Sequence, residues 1–522
     1  TGYGTTKKRD VVTSVASVGA DQIKNIPVTN AAEALQGKLT GVSVTTTEGS
    51  PDADVQIRVR GQGSLTQSSD PLYIVDGFPV SNINDISPSD IQSMDVLKDA
   101  AATAIYGAQG ANGVIIITTK DADVSDGKDD CKMQFHVDYT GYVGWKNISK
   151  KMDVLDAKEF AKLQYENAAF KAIGKYNPEN IESKEDKEYF GIDKSKVQSK
   201  FNDYFDPFYA QSGVYEDDQT KIFKYYESAP YTDWQDETFG RTGINSNHSL
   251  SVSGGNKNAT FNLSYNRIDD KAIMEDSEYS RDNISLKSKF KPFKNFTLGF
   301  TARYSKTQVW GAGSNSAEDK GSSSQSRLRN SVVYTPVSLF KNTYEGDDDE
   351  TALGGLYDPI KTIKDNYKYK HDQKYTINGY LQYKFLKKFT ARVEAGYENR
   401  DIVVDRFYGP TTYFARSTTG LSGKDGSSNL VYTDEKSTRF RNSNTFTYED
   451  KFKGGHNLTV MVGEENVVNT GELLTLTGYG FDPKYTGEKA FNYLGQSAHT
   501  LMENYIDPTD NMLSIFGRAQ YD

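Results

Sequence analysis

The sequence has a single cysteine, Cys131, in 522 residues, so it can form neither an intrachain disulfide nor a cysteine-built metal site. It has no apolar run near the roughly 18 residues that a membrane-spanning helix needs. Positive charge is in deficit: 61 Lys and Arg against 71 Asp and Glu leave a net charge of −10. That balance argues against a nucleic acid as partner, because phosphate binding wants a basic face. No basic or apolar leader opens the chain at Thr1-Gly2-Tyr3-Gly4, as expected of a cytosolic protein or of a processed or trimmed chain. Zinc-protease, Walker and nucleophile-elbow patterns are missing. The 5 histidines are scattered, with His136, His248 and His456 on or beside strand patterns, so no catalytic constellation can be assembled and no enzyme is expected.

What the chain has in quantity is Tyr (35), Phe (26) and Gly (44). Its mean hydropathy of −0.67 would ordinarily mean a water-soluble protein. For a β-barrel that inference fails, because inward polar and outward apolar side chains alternate and cancel.

Residues 1–20 read as a polar lead-in. Residues 21–122 read as a compact mixed α+β domain. Apolar spacing predicts a short helix at 31–36 with Asn30 as N-cap. Strands follow at Val42–Thr46 and 55–60; in the second, Val55, Ile57 and Val59 share one face while Arg58 and Arg60 share the other. Tyr73-Ile74-Val75 is a third run, stopped by Asp76-Gly77, with 94–97 and Val114–Thr119 completing the set. Between the last two, Asp99 can cap a helical turn over 100–106 that Gly107 ends. Gly107-Ala108-Gln109-Gly110 and Asn112-Gly113 loosely match a dinucleotide fingerprint, but no strand leads into a long helix there, so they read as turn glycines.

Residues 123–132 form an acidic linker. Counted as a calcium loop from Asp121, the stretch fails where it matters, with Asp126 in place of the turn Gly and Lys132 in place of the closing Glu, so a solvated linker is the favoured reading. From residue 133 to 522 the pattern changes to period two: Phe135, Val137, Tyr139 and Val143 alternate with polar neighbours, and similar segments recur to Leu513, Ile515 and Tyr521. They make roughly ten strands of the length a tilted transmembrane strand needs. Connections near 255, 292, 387 and 452 are short, whereas 145–243, 308–372, 401–433 and 469–510 are long, the loop layout of outer-membrane barrels. Asp138, Lys287, Lys289, Arg303, Lys384, Arg392, Glu394 and Arg439 all fall on the parity opposite to the apolar face, as a polar lumen requires. A small folded unit directly before such strands suggests a plug.

Within the loops, 156–170 predicts an amphipathic helix. Asp347, Asp348 and Asp349 are a calcium candidate set against the reading of a solvated acidic loop; no other metal and no cofactor is expected. Trp145 suits an interfacial girdle, and Trp310 either a girdle or a platform for stacking on substrate.

Taken in order, Thr1-Gly2-Tyr3-Gly4-Thr5, Ala34-Leu35-Gln36-Gly37-Lys38, Ile57-Arg58-Val59-Arg60-Gly61, 71–77 (PLYIVDG), Val96-Leu97-Lys98-Asp99-Ala100, Ile105-Tyr106-Gly107 and Ala111-Asn112-Gly113-Val114-Ile115 resemble the TonB-dependent outer-membrane transporters of the SusC/RagA type. Thr232-Asp233-Trp234-Gln235-Asp236 resembles a further family segment. The resemblance implies a plug inside a 22-stranded antiparallel β-barrel, of which this sequence holds about ten strands, in the outer membrane of a Gram-negative bacterium. It implies active import of oligosaccharides, or of peptides, driven by TonB acting near Thr1, Gly2, Tyr3 and Gly4, with a SusD-like surface lipoprotein as lid. The remaining strands would come from further sequence or from another chain. Arg58, Arg60, Tyr73, Asp76 and Gly77 are the candidates for anchoring plug to wall or lining the binding cavity, with a salt-bridged role inside the plug as the alternative. A passive porin or an adhesin barrel is the competing class, and it leaves the plug unexplained.

Overall fold

The structure, a computed structural model, describes residues 15–23, 31–39, 41–46, 55–59, 70–98, 104–122, 133–160, 163, 227–311, 327–337, 358–412, 414–415, 428–452, 456–482 and 484–521. Thr1, Gly2, Tyr3, Gly4, Asn30, Arg60, Asp99, the 123–132 linker with Cys131, most of the 156–170 helix, and Asp347, Asp348 and Asp349 lie outside the described residues.

The first unit contains β1 (Val15–Gly19), α1 (Ala20–Ile23), β2 (Val42–Thr46), β3 (Val55–Val59), β4 (Leu72–Val75), β5 (Phe78–Val80), β6 (Ile91–Leu97) and β7 (Val114–Thr119). Five of the strands form one sheet in the order β1-β6-β7-β4-β5, with β4 and β7 parallel, and β2 and β3 form a separate ribbon. Alternation dictates β3: Val55, Ile57 and Val59 are buried and Gln56 is exposed. The five-stranded sheet is covered on both sides. Ile57, Val75, Phe78, Met94 and Ile117 pack in the main core, and Ile74, Leu97 and Val114 pack on the opposite face. A parallel pair needs that double cover. Two helical expectations come out differently. Over 31–36 only Glu33–Leu35 is helical, as a 3-10 turn with no side-chain cap. The turn after β6 is also 3-10, over Ala104–Gly110, and it kinks at Gly107, whose φ of 56° a helix cannot use.

The second unit is one antiparallel sheet of 11 strands. They are β8 (Gln134–Lys146), β9 (Gly243–Gly255), β10 (Ala259–Lys271), β11 (Glu278–Phe293), β12 (Phe296–Trp310), β13 (Asn366–Phe385), β14 (Phe389–Tyr408), β15 (Ser428–Lys451), β16 (Asn457–Phe481), β17 (His499–Ile506) and β18 (Asp510–Tyr521). β17 and β18 lie end to end along β16, the first on residues 472–479 and the second on 458–469. They are two halves of one tenth position, parted at Asp507-Pro508-Thr509, where proline has no N–H for the ladder. Short turns at 256–258, 294–295, 386–388 and 452–456 share one end of the sheet. The opposite end carries the long connections and the tight one at 272–277.

The outward face is apolar, with Phe135, Val137 and Tyr139 each more than half exposed, and Trp145 is 70% exposed at the long-loop end of β8. Near the short turn at 386–388, Phe385, Phe389, Phe446 and Tyr448 contact ring to ring, as an interfacial girdle would. Above the long-loop end, α2 (Trp234–Phe239), α3 (Arg327–Val333) and α4 (Pro359–Lys364) pack on one another. Asp233 caps α2 by accepting from the backbone N–H of Gln235 and Asp236. Trp234 donates its indole N–H to the Thr335 carbonyl at 2.7 Å.

Candidate functional site

The plug sits against the inward face of the strands, and the contacts between them gather on the hairpin joining β4 to β5. That hairpin is tight because Asp76 and Gly77 both take left-handed conformations, φ 49° and 88°. The turn exposes the Asp76 carboxylate and the Gly77 carbonyl to the wall.

The Asp76 carboxylate accepts from the Thr119 backbone N–H at 3.0 Å and the Thr119 hydroxyl at 2.6 Å. It also accepts from Lys287 Nζ at 3.1 Å, and Arg303 stands 3.9 Å away. Burial alone pushes the Asp76 pKa up, but Lys287, Arg303 and the two Thr119 bonds outweigh burial and hold it below the ordinary carboxylate value. The carboxylate is therefore ionised and locked to the wall at neutral pH.

Next to it, the Gly77 carbonyl accepts from Arg441 at 3.0 Å. Arg441 also pairs with Glu394 at 3.0 Å and Glu465 at 2.6 Å, and Arg392 binds Glu394 at 3.0 Å. Glycine suits the φ of 88° at Gly77, and a Cβ there would come within 3.1 Å of the Glu394 carboxylate, which would have to shift. The Phe78 ring lies against Gly396 on β14, where any Cβ would clash with it.

A second set of contacts holds plug residues 81–90. Lys374 reaches Asp85 at 3.3 Å and Glu398 at 3.5 Å, while the fully buried Arg281 donates to the Asn84 carbonyl. Ser89 and Ser249 pair hydroxyl to hydroxyl at 2.9 Å. Asp85 is pushed up by burial and brought below its ordinary pKa by Lys374, Arg303 and Arg281, whereas burial wins at Asp90 and raises it. On the long-loop side of these contacts lies a cavity of about 330 Å³, lined by Gln56, Tyr73, Asn82 and Asp85 of the plug and Lys370 and Arg400 of the wall, among others. Its lining is mostly charged and amide side chains.

The sequence candidates separate at this point. Asp76 and Gly77 are brought together at the wall, and Tyr73 lines the cavity from the plug side. Arg58 is not with them: it points away from the plug core and donates to Gln56 of its own strand at 3.1 Å. Parity put it opposite the core, and on β3 that side, where Arg58 is half-buried, does not carry the Asp76 contacts. Trp310 is also elsewhere. It falls on the outward parity of β12, with Val309 buried inward, and its ring contacts Tyr369 with centroids 5.2 Å apart. Lys374, Arg281, Glu398, Arg441 and Glu465 were missed by sequence reading, although they share the lumen parity that had singled out Lys287, Arg303 and Glu394.

A plug held by buried ion pairs on the polar face of a transmembrane sheet defines a gated outer-membrane barrel. Comparison with known proteins agrees. The family model described as TonB-dependent Receptor Plug Domain matches residues 7–114. TonB-dependent receptor P3 of Formosa agariphila is 28% identical over 100% of this chain and 44% of its own length. TonB-dependent receptor SusC of Bacteroides thetaiotaomicron is 31% identical over 55% of this chain and 23% of its own length. Among solved structures, the RagAB peptide importer in its open-open state superposes with a TM-score of 0.71 at 22% identity, covering 100% of this chain and 54% of that one. The chain thus spans less than half the length of the curated relatives it matches. Residues 7–114 carry a TonB-dependent receptor plug domain, and the chain is similar along its whole length to TonB-dependent receptors of the Gram-negative outer membrane, SusC among the relatives it matches.

Proposed function

We propose that the protein is a TonB-driven importer of large polar nutrients, oligosaccharides in the first reading, working with a SusD-like surface lipoprotein as lid. The observation that carries this reading is the locked plug: Asp76, Gly77 and Asp85 are tied to the wall by buried charges, so passage needs energy that a passive pore does not use. Peptide cargo is the alternative within the same mechanism, supported by the charged lining of the cavity and by the likeness in fold to the RagAB peptide importer. In this reading residues 1–20 lead to the segment on which TonB pulls, with Thr1, Gly2, Tyr3 and Gly4 next to it, 21–122 form the plug, 123–132 the linker and 133–522 barrel wall and loops.

The test is uptake of a panel of labelled oligosaccharides and peptides by cells making the full-length protein, with and without TonB. Import of at least one member that stops when TonB is deleted is expected. Import that continues without TonB would overturn the active mechanism.

A further inference from the structure

The lumen face of β11 and β12 presents a polar column to plug residues 81–90. Downwards from the long loops it reads Thr307, Ser305 and Arg303 on β12, and Asn283, Ser285 and Lys287 on β11, with Asn283 opposite Ser305 and Ser285 opposite Arg303. The plug segment facing it forms no strand pairing with the wall and is held by separate polar contacts at Asn84, Asp85 and Ser89.

This column is not closed by packing. The cavity of about 330 Å³ opens on its upper part, and a smaller one of about 20 Å³ continues below, the two sharing Asp85, Ser305 and Lys374 in their linings. In the smaller chamber both polar atoms of the Asn283 amide, the Ser305 hydroxyl and one nitrogen of Arg303 have no hydrogen-bond partner in the protein. Asn283 and Ser305 are each 6% exposed. Buried polar atoms in that state are satisfied by water, and the chamber is large enough for one molecule. Below it, Lys287 spans from the buried Asp76 to Asp121, which is 59% exposed. Solvent thus reaches both ends of the column, and the Asp76, Lys287 and Arg303 cluster stands across it.

We propose that this seam between residues 81–90 and strands β11 to β13 is a hydrated permeation route for small hydrophilic solutes, water and inorganic ions first, with Lys287 and Asp76 as its inner gate. Cargo transit, if the import reading holds, widens this seam and leaves the apolar core of the plug sheet intact. The lining of hydroxyl, amide and charged groups replaces the hydration shell of a polar solute and offers nothing to an apolar one.

The test is ion conductance of the full-length protein in planar lipid bilayers bathed in KCl, which requires neither TonB nor a known cargo. Lys287→Ala is expected to raise conductance severalfold over the unaltered protein. If that variant does not assemble, Lys287→Gln reads the same gate. Ser305→Cys in the Lys287→Ala background, treated with a cationic methanethiosulfonate, is expected to lose the added conductance. Ser443→Cys, on lumen parity at β15 and away from the seam, is expected to keep it. No rise on opening Lys287, or equal block at Ser443→Cys and Ser305→Cys, overturns the route. TonB-independent uptake would defeat the import reading and leave this result standing.

Discussion

Asp76 is where the protein's electrostatics are most concentrated. Its carboxylate and the Lys287 ammonium are largely withdrawn from water, with side chains 5% and 18% exposed, so removing one leaves the other's charge unpaired. Asp76→Ala is expected to weaken plug docking by about 3–5 kcal/mol, the usual cost of breaking a buried pair from one side. Urea-induced release of the plug in the purified full-length protein, read by protease sensitivity, measures it. The pH dependence follows from the lowered pKa. A depressed carboxylate stabilises the docked state at every pH above its undocked value, about 3.9, and loses that contribution only as pH falls through the docked value. The difference between Asp76→Ala and the unaltered protein should stay constant from pH 5 to 8 and shrink in stronger acid. Sequence parity placed Lys287 and Arg303 in the lumen but could not say what they meet, because partners more than 160 positions away in the chain, Asp76, Thr119 and Asp121, are set by the three-dimensional docking of the plug. The same blindness grouped Arg58 with Asp76 among the candidate anchors.

Among elements, the strands themselves were legible and their ends were not. Alternation marked β8 to β16 where one face is apolar, yet β13 and β14 run for 20 residues and β16 for 25. Their upper halves carry polar and charged groups such as His371, Asp372, Arg400, Asp401 and Asp405 on both parities, since above a bilayer both faces meet water and the period-two signal fades. β17, whose sequence HTLMENYI does not alternate, lacked the signal entirely. β15 broke its own pattern for a different reason. Asn442 and Asn444 sit on the outward parity and are satisfied there, by the Glu394 carbonyl at 3.1 Å and the Glu464 carboxylate at 3.1 Å. In the loop layer, α2 depends on one cap. Asp233→Ala removes both N-terminal hydrogen bonds and the Lys151 pair, so a loss of about 1 kcal/mol of local stability is expected. Faster hydrogen exchange across 234–239, with the strands unchanged, is the measurement.

For the molecule as a whole, two environments meet along every strand, and each is enforced by its own cost. Val393 faces outward and is 48% exposed, while its neighbour Glu394 faces the plug, 8% exposed. Val393→Lys is expected to destabilise the barrel by roughly 2–4 kcal/mol if it lies at the bilayer midplane and by less toward either interface. A lower urea midpoint of folding into lipid vesicles would report it. Fold class was readable at this scale because loop lengths and charge parity both encode sidedness, which survives in sequence. The cavity and the seam were not readable, since they are spaces between a plug and a wall, and no residue pattern records a space. The order of strands in the plug sheet adds a mechanical consequence. Among the described residues β1 is the first strand, occupies one edge and pairs with β6 alone, while the turn clamped to the wall closes the opposite edge, between β4 and β5. A tensile load entering upstream of β1 would therefore peel a five-residue strand first and reach the clamped edge last, so the plug behaves as a graded mechanical fuse whose far terminal stays fastened while the near one yields.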